Sequence, residues 1–269
     1  MAGDGERGGG GSPLRVALGE YDTGWHDPAG SLARAAGVVE RAAAAGAELV
    51  VLPEMCTTGF TMEPAAHAEP LTGPSAAGLA ELARRHGVHL LAGVATRAAS
   101  DAGGERFHNS ALLFGPDGAL AAEYRKQRLF AFAGERERYA AGDGPTIVRV
   151  GGVRIAPFIC FDLRFPELFR AVAPEVDALV LVANWPAARR AHWDVLVRAR
   201  AIENQCYVVA VNRSGQGGGL EYDGGSVAYD PWGDPVAESA DGGMLVACLD
   251  PAEVTRVRSR YPFVEDRRA

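Results

Sequence analysis

The chain has 269 residues, of which 48% are hydrophobic and 23% are charged, and its formal net charge is −7. This composition is typical of a globular protein, and the negative charge disfavours nucleic acid or an anionic membrane surface as the partner. No stretch has the length and apolarity of a membrane-spanning helix, and the four cysteines are too far apart for a zinc motif or a disulfide framework. We therefore expect no metal site and a reducing, cytoplasmic location.

Strand-like and helix-like segments alternate along the chain after a glycine-rich start. We expect residues 1–13 to be a disordered tail and residues 14–269 to form a single domain. In the first half, the patterns predict strands at 14–21, 48–54 and 88–97, helices at 28–47 and 74–87, and a hairpin at 107–126 around GPDG. In the second half, they predict a hairpin at 146–160, helices at 165–173, 189–205 and 251–261, and strands at 176–184, 206–214, 224–239 and 242–250.

This alternation, together with several hairpins, predicts an α/β fold with mixed sheets. The apolar runs within 48–53 and 177–183 are typical of strands that are covered on both faces. Periodicity alone is compatible with a sandwich of two sheets between helices and with one doubly wound sheet.

The stretch RIAPFICFDLRFPELFR, residues 154–170, places Cys160 where a predicted strand gives way to a predicted helix. Open α/β sheets carry their sites at such strand ends, and a nearby helix N-terminus favours a thiolate. The alternative is that Cys160 is a small buried residue, which is the usual state of an unreactive cysteine. The local pattern leaves both interpretations open, whereas Cys206 and Cys248 lie inside apolar strands and are predicted to pack in the core.

Two other predicted strands also end in a charged residue. LVVLPEM brings Glu54 to the end of a buried strand, and AAEYRKQRLF brings Lys126 to the end of another. Each alone is typical of a solvated surface, but with Cys160 they make three reactive groups at three strand ends. No histidine is an obvious partner for Cys160, which disfavours a Cys–His protease.

These motifs, in the order LVVLPEM, YRKQRLF and ICFDLRFPE, resemble the nitrilase superfamily of carbon–nitrogen hydrolases, and the resemblance spans nearly the whole chain. The stretches PEMCTTGFTM, DLRFPELFR and NWPAARRAHWDVLVRARAIENQ are similar to the ω-amidase branch, which hydrolyses the distal amide of α-keto acid monoamides. The nitrile-hydrolysing branch tends to carry Trp-Glu after its nucleophile, whereas this chain has Phe161-Asp162. The resemblance implies a four-layer α-β-β-α sandwich with two mixed β-sheets, no cofactor, and a homodimer.

The resemblance also implies a role for each reactive residue. Cys160 would be the nucleophile and Glu54 the general base, while Lys126 and the backbone N–H of Phe161 would stabilise the oxyanion.

A second glutamate follows the lysine in the family, and the stretch LFAFAGERERYAAGD offers two candidates. In the family, this glutamate usually lies about as far before a glycine as Glu135 lies before Gly142, so Glu135 is favoured. Glu137 would then be a solvated charge.

The implied substrate is a small anionic amide, so a cation should bind its carboxylate. Arg164 is the first candidate because it lies four residues after the cysteine, and its alternative role is an ion pair with Asp162 or Glu167. Phe60 and Trp185 are expected to form pocket walls.

Two other functions remain open from the sequence. An amidohydrolase of N-carbamoyl amino compounds is disfavoured because no carbamoyl-binding pattern surrounds CFDLRF. A non-catalytic binding module of the same fold is disfavoured because the Glu54–Lys126–Cys160 set is intact.

Overall fold

The computed structural model describes residues 11–100, 103–240 and 244–266. Most of the tail predicted at residues 1–13 therefore lies outside the described residues, and the single domain over 14–269 stays a prediction. No helix in the described ranges is both long and apolar enough to cross a membrane.

In the part of the chain that the structure describes, the first sheet has seven strands in the order β13-β14-β1-β2-β3-β4-β5. Strands β1, β2 and β3 run parallel to one another, and the other neighbours in this sheet are antiparallel. The bounds are β1 (Leu14–Leu18), β2 (Leu49–Val51), β3 (His89–Ala99), β4 (Glu105–Phe114), β5 (Leu120–Arg125), β13 (Glu238–Ser239) and β14 (Leu245–Leu249).

The second sheet has five described strands in the order β12-β9-β8-β7-β6, with β7, β8 and β9 parallel. Both sheets are therefore mixed. A separate hairpin of β10 and β11 follows β9. The bounds are β6 (Val148–Val150), β7 (Val153–Ile159), β8 (Ala178–Ala183), β9 (Tyr207–Asn212), β10 (Ser214–Gly217), β11 (Leu220–Asp223) and β12 (Val227–Tyr229).

Five helices in the described ranges lie within three residues of the predicted bounds, whereas the short helices α2 and α4 were not predicted. The Asp27 side chain accepts a hydrogen bond from the Gly30 N–H at the start of α1, and Gly87 ends α3 in the left-handed conformation. The bounds are α1 (Pro28–Ala44), α2 (Pro64–His67), α3 (Pro74–His86), α4 (Glu135–Arg138), α5 (Pro166–Val172), α6 (Arg190–Asn204) and α7 (Pro251–Arg260).

Strand β1 shows how the layers form. Leu14, Val16 and Leu18 join a cluster that contains the strands of the second sheet, whereas Ala17 packs with residues of α1 and α3. Helices α5 and α6 cover the other face of the second sheet through residues such as Phe169 and Val197. The four-layer α-β-β-α sandwich is therefore confirmed, and the single doubly wound sheet is excluded.

Two details differ from the sequence-based expectations. Cys206 is buried as predicted, but Cys248 is exposed. It shares a face of β14 with the buried Val246, but it lies opposite the exposed Arg15 of β1, where that face is open to solvent. The β10–β11 hairpin was not predicted, because its glycine-rich sequence lacks apolar alternation.

Candidate active site

The predicted reactive residues converge at one edge of the two sheets. Cys160 directly follows β7, Asn184 directly follows β8, and Lys126 directly follows β5, where its N–H donates to the Asn109 carbonyl at 2.9 Å. Glu54 lies beyond the end of β2 and is held by the Asn184 N–H, which donates to Glu54 Oε2 at 2.8 Å. Strand ends from both sheets thus meet at this edge.

Lys126 lies between the carboxylates of Glu54 and Glu135, and all three side chains are buried. We call these three residues the ion-pair cluster. Lys126 Nζ lies 2.9 Å from Glu54 Oε1 and 3.0 Å from both Glu135 oxygens, and all three side chains have 0% exposure. Burial disfavours the ammonium, but the carboxylates of Glu135 and Glu54 outweigh it and raise the pKa of Lys126 above its usual range. The two carboxylates therefore favour the charged form of Lys126 although its side chain is buried.

Two asparagines that the sequence analysis did not single out complete this cluster. Asn109 Nδ2 donates to Glu54 Oε1 at 2.7 Å and to Glu135 Oε1 at 2.9 Å, so it ties the two carboxylates together. Asn184 Nδ2 donates to the Glu54 carbonyl at 2.6 Å. A polar residue inside or just after an apolar strand, as in FHNSALLF and ALVLVAN, is the sequence signal that could have indicated them.

Cys160 lies at a sharp backbone turn. Its φ is +44°, a conformation that non-glycine residues rarely adopt, and it begins a 3₁₀ helix over Cys160–Arg164. The turn leaves the thiol partly exposed, with Sγ 3.8 Å from the Asn184 carbonyl oxygen. Burial and the Glu54 carboxylate raise the pKa of the Cys160 thiol, and Lys126 only partly offsets them. The Cys160 thiol is therefore harder to ionise than that of a free cysteine.

Asp162 anchors this turn from inside the protein. Its Oδ2 accepts from the Tyr124 hydroxyl at 2.8 Å and from the Ile159 N–H at 2.9 Å, and its Oδ1 accepts from the Arg128 N–H at 2.9 Å. Burial raises the pKa of Asp162 to about 6, although these hydrogen bonds oppose the shift. The carboxylate is thus fully engaged in holding the segment that carries Cys160.

A cavity of about 190 Å³ opens beside Cys160 and Lys126. All the predicted substrate-binding residues, namely Phe60, Phe161, Arg164 and Trp185, line it. Its other lining residues are Phe130, Phe132, Ala133, Asn184, Pro186, Arg189, Leu220 and Tyr222. The walls are therefore mainly aromatic, with a few polar groups near the thiol.

Arg164 forms neither of the ion pairs that the sequence allowed. Its guanidinium carbon lies 4.8 Å from the centre of the Trp185 ring, and one N–H donates to His192 Nδ1 at 3.1 Å. Glu167 instead lies 3.6 Å from Arg128. Arg164 is thus oriented by an aromatic ring and an imidazole, and its charge is left without a carboxylate partner among the described residues.

The two candidates for the second glutamate differ in their positions. Glu135 is buried against Lys126, and its Oε2 also accepts from the Phe130 N–H at 2.6 Å, whereas Glu137 is exposed on α4. In the described ranges, no group of three or more His, Cys, Asp or Glu side chains is arranged to hold a metal ion.

The chain is similar to known proteins over most of their length. A family described as carbon-nitrogen hydrolase matches residues 15–259. The chain is 34% identical to a 2-oxoglutaramate amidase from Bacillus subtilis, covering 92% of this chain and 95% of that protein. It is 39% identical to the omega-amidase YafV from Yersinia enterocolitica, covering 81% and 84%.

A solved structure is similar as well. The protein XC1258 from Xanthomonas campestris, described as a CN-hydrolase superfamily protein with an arsenic adduct in its active site, superimposes with a TM-score of 0.86 at 38% identity. The match covers 95% of this chain and 97% of that chain. The fold is therefore shared over nearly the full length of both chains.

Proposed function

Because this chain belongs to the carbon–nitrogen hydrolase family, we propose that it is an ω-amidase, which hydrolyses the terminal amide of small carboxylate-bearing amides such as 2-oxoglutaramate or 2-oxosuccinamate. The observation that carries the proposal is a thiol at a strand end beside a buried ammonium, in a cavity whose wall holds an unpaired Arg164. The activities named for the two amidase relatives support the same substrate class.

The first half of the reaction forms a thioester on Cys160. Glu54 takes the thiol proton as Sγ attacks the amide carbon, and the carbonyl oxygen becomes an oxyanion. Lys126 Nζ and the backbone N–H of Phe161 stabilise that charge, and one such donor is typically worth ~3 kcal/mol of the barrier. When the carbon–nitrogen bond breaks, Glu54 returns the proton to the leaving nitrogen, and ammonia departs.

The second half hydrolyses the thioester. Glu54 removes a proton from water, the resulting hydroxide attacks the thioester carbon, and the same two donors stabilise the second oxyanion. Collapse breaks the carbon–sulfur bond, the thiol regains its proton, and the acid leaves. No metal or organic cofactor takes part in this scheme.

The remaining site residues support these steps. Glu135 orients Lys126, which is consistent with the hydrogen bonds from the ammonium to both of its oxygens. Arg164 binds the substrate carboxylate, while Phe60, Phe161 and Trp185 surround the chain that links carboxylate and amide.

We also infer a cytoplasmic homodimer that binds no nucleic acid. Exposed apolar side chains that a second copy would cover support the dimer, and they include Val195 at 68%, Ile202 at 50% and Phe263 at 56% exposure. All four cysteines are free, as expected in a reducing compartment, and the net charge of −7 disfavours nucleic acid.

Ammonia release from a panel of amides tests the activity. We expect turnover of 2-oxoglutaramate and 2-oxosuccinamate, and little or none of N-carbamoyl amino acids and nitriles. The Cys160→Ala variant should lose at least about 10⁴-fold in kcat while keeping its melting temperature, because only a sulfur atom is removed.

The matched control is Cys248→Ser, which removes the exposed thiol of β14 and should leave turnover unchanged. Turnover of carbamoyl compounds alone would replace the ω-amidase by the N-carbamoyl amidohydrolase. An active Cys160→Ala variant would exclude Cys160 as the nucleophile.

A further inference from the structure

Positive charge is concentrated in the cavity beside Cys160. Lys126, Arg164 and Arg189 line it, and no Asp or Glu among the described residues is part of that lining. The chain as a whole carries a net charge of −7, so this local excess of positive charge is not a consequence of composition. Within the ion-pair cluster, Glu54 and Glu135 balance the charge of Lys126. Arg164 and Arg189 are therefore the cations of the lining that no carboxylate among the described residues balances.

Arg189 has no role in the reaction described so far. It ends a 3₁₀ segment over Ala187–Arg189 immediately before α6, and its guanidinium carbon lies 5.4 Å from the centre of the Phe130 ring. In the part of the chain covered by the structure, its side chain forms no ion pair and no hydrogen bond. All five of its N–H donors are therefore available to a ligand.

The two arginines, which we call the arginine pair, are held around one tryptophan. Trp185 Nε1 donates to the Arg189 carbonyl oxygen at 2.8 Å, and the Arg164 guanidinium lies over the ring of the same tryptophan. Burial and the nearby charge of Arg189 lower the pKa of Arg164. Both arginines line the same cavity, so an anion bound there would be attracted by both charges and would offset the repulsion between them.

We propose that the arginine pair binds the carboxylate-bearing end of the substrate, and that Arg189 determines which substituent is accepted on the carbon next to that carboxylate. The inference rests on the proposed function and adds a specificity to it. An oxo oxygen at that carbon accepts hydrogen bonds from a guanidinium, which is a planar, permanently charged donor. An ammonium group at the same carbon would instead face two positive charges and lose its hydration.

The substrate class that follows is the 2-oxo acid amide, as opposed to the amino acid amide. Glutamine and 2-oxoglutaramate carry the same distal amide and the same carboxylate, so the reacting group cannot distinguish them. The cavity volume of about 190 Å³ is below the ~300–1,000 Å³ of pockets for drug-sized ligands, which suits a short linear substrate held at both ends.

Steady-state kinetics of Arg189→Met test the proposal with matched amides. The four amides are 2-oxoglutaramate, glutamine, uncharged pentanamide and the monoamide of glutarate. The last of these lacks the oxo group. We expect kcat/KM for 2-oxoglutaramate to fall about tenfold to 100-fold, mainly through KM, which is the usual effect of losing one charge-assisted hydrogen bond. The losses for the monoamide of glutarate and for pentanamide should be smaller, and the preference for 2-oxoglutaramate over glutamine should shrink by about tenfold or more.

The matched control is Arg136→Met, because Arg136 is an exposed arginine of α4 outside the cavity lining. It should change none of the four rates. An equal loss on all four amides with Arg189→Met, or an unchanged preference over glutamine, would overturn the specificity role of Arg189.

A binding measurement separates this inference from the proposed function. Calorimetry on Cys160→Ala and on Cys160→Ala/Arg189→Met gives the affinity for 2-oxoglutaramate without turnover. If the wild-type chain hydrolyses no amide of the panel, the proposed function fails, but a tenfold or greater weakening of binding by Arg189→Met still supports the arginine pair. Unchanged affinity overturns the arginine pair, and equal weakening for the monoamide of glutarate overturns the specificity role of Arg189.

Discussion

The ion-pair cluster and the arginine pair border the same cavity, yet their charges are balanced in different ways. Lys126 is enclosed by Glu54 and Glu135 and has no exposure to solvent. Arg164 and Arg189 are half-buried, border aromatic rings and have no carboxylate partner among the described residues. The charge proposed for chemistry is thus paired within the protein itself, whereas the charges proposed for recognition are left for the substrate to pair.

The largest expected effect comes from removing the centre of the ion-pair cluster. Lys126→Met leaves two buried carboxylates facing each other, so the free energy of unfolding should fall by about 3–5 kcal/mol. The oxyanion also loses a donor, and kcat should fall by about 10²–10³-fold or more. Urea denaturation and ammonia release measure the two losses.

Lys126→Arg is the control for charge alone. It restores a cation but not the compact ammonium that fits between the two carboxylates, so activity should stay low. If Lys126→Met is as stable as the wild-type chain, the two buried carboxylates do not need the ammonium between them. The difference between the paired charges of the ion-pair cluster and the unpaired charges of the arginine pair would then carry no energetic meaning.

Glu135 and Glu137 allow a matched comparison within one short helix. Glu135→Gln removes one of the two charges that balance Lys126, and we expect kcat to fall about tenfold to 100-fold. Glu137 is exposed, so Glu137→Gln should change the rate and the stability only slightly. Kinetics of the two variants under one set of conditions decide between them, and a larger loss in Glu137→Gln would reverse the assignment.

Removing a charge of the arginine pair should affect recognition and leave the fold intact. Arg164→Met should raise KM for 2-oxoglutaramate about tenfold or more, and raise KM for pentanamide much less. Its free energy of unfolding should change by less than about 1 kcal/mol, because no ion pair is broken. Equal effects on both substrates, or a stability loss as large as that of Lys126→Met, would make Arg164 a structural residue.

The smallest expected effect concerns the thiol that lies between the two regions. Because the pKa of Cys160 is raised, the thiolate fraction at neutral pH is lower than in a free cysteine, and alkylation by iodoacetamide should be slower. The alkylation rate should keep rising above pH ~8.5, where the alkylation rate of a free thiol levels off. Mass spectrometry of the Cys160 peptide in the Cys248→Ser variant, compared with the urea-unfolded chain, measures this profile. A plateau below that pH would contradict the raised pKa of Cys160.

Much of the fold could be predicted because it depends on local signals. Apolar runs, glycine and proline boundaries and the GPDG turn located most strands and helices, although the predicted ends extend a few residues too far. The choice between a sandwich and a single sheet could not be made, because it depends on which strands pair across long stretches of chain. The exposure of Cys248 was missed for the same reason, because strand pairing and packing decide which positions of β14 are covered.

The site was predicted to a similar extent. Glu54, Lys126 and Cys160 stand at strand ends, a position that sequence patterns can indicate. Asn109 and Asn184 both contact Glu54, which lies 55 and 130 positions away from them in the sequence. A polar residue in or just after an apolar strand marks them as candidates, but only the structure shows what they contact. Arg189 could not be separated from the neighbouring arginines, because only the structure shows which of them lack a carboxylate.

The burial of Lys126 also has a consequence for chemical labelling of the protein. Lys126 is the only lysine in the sequence, so it carries the only side-chain primary amine. Its amine is buried and remains protonated, and reagents that acylate amines react only with the free base. In the folded chain, such a reagent should therefore spare Lys126, and acylation of Lys126 reports that its contacts with Glu54 and Glu135 have opened.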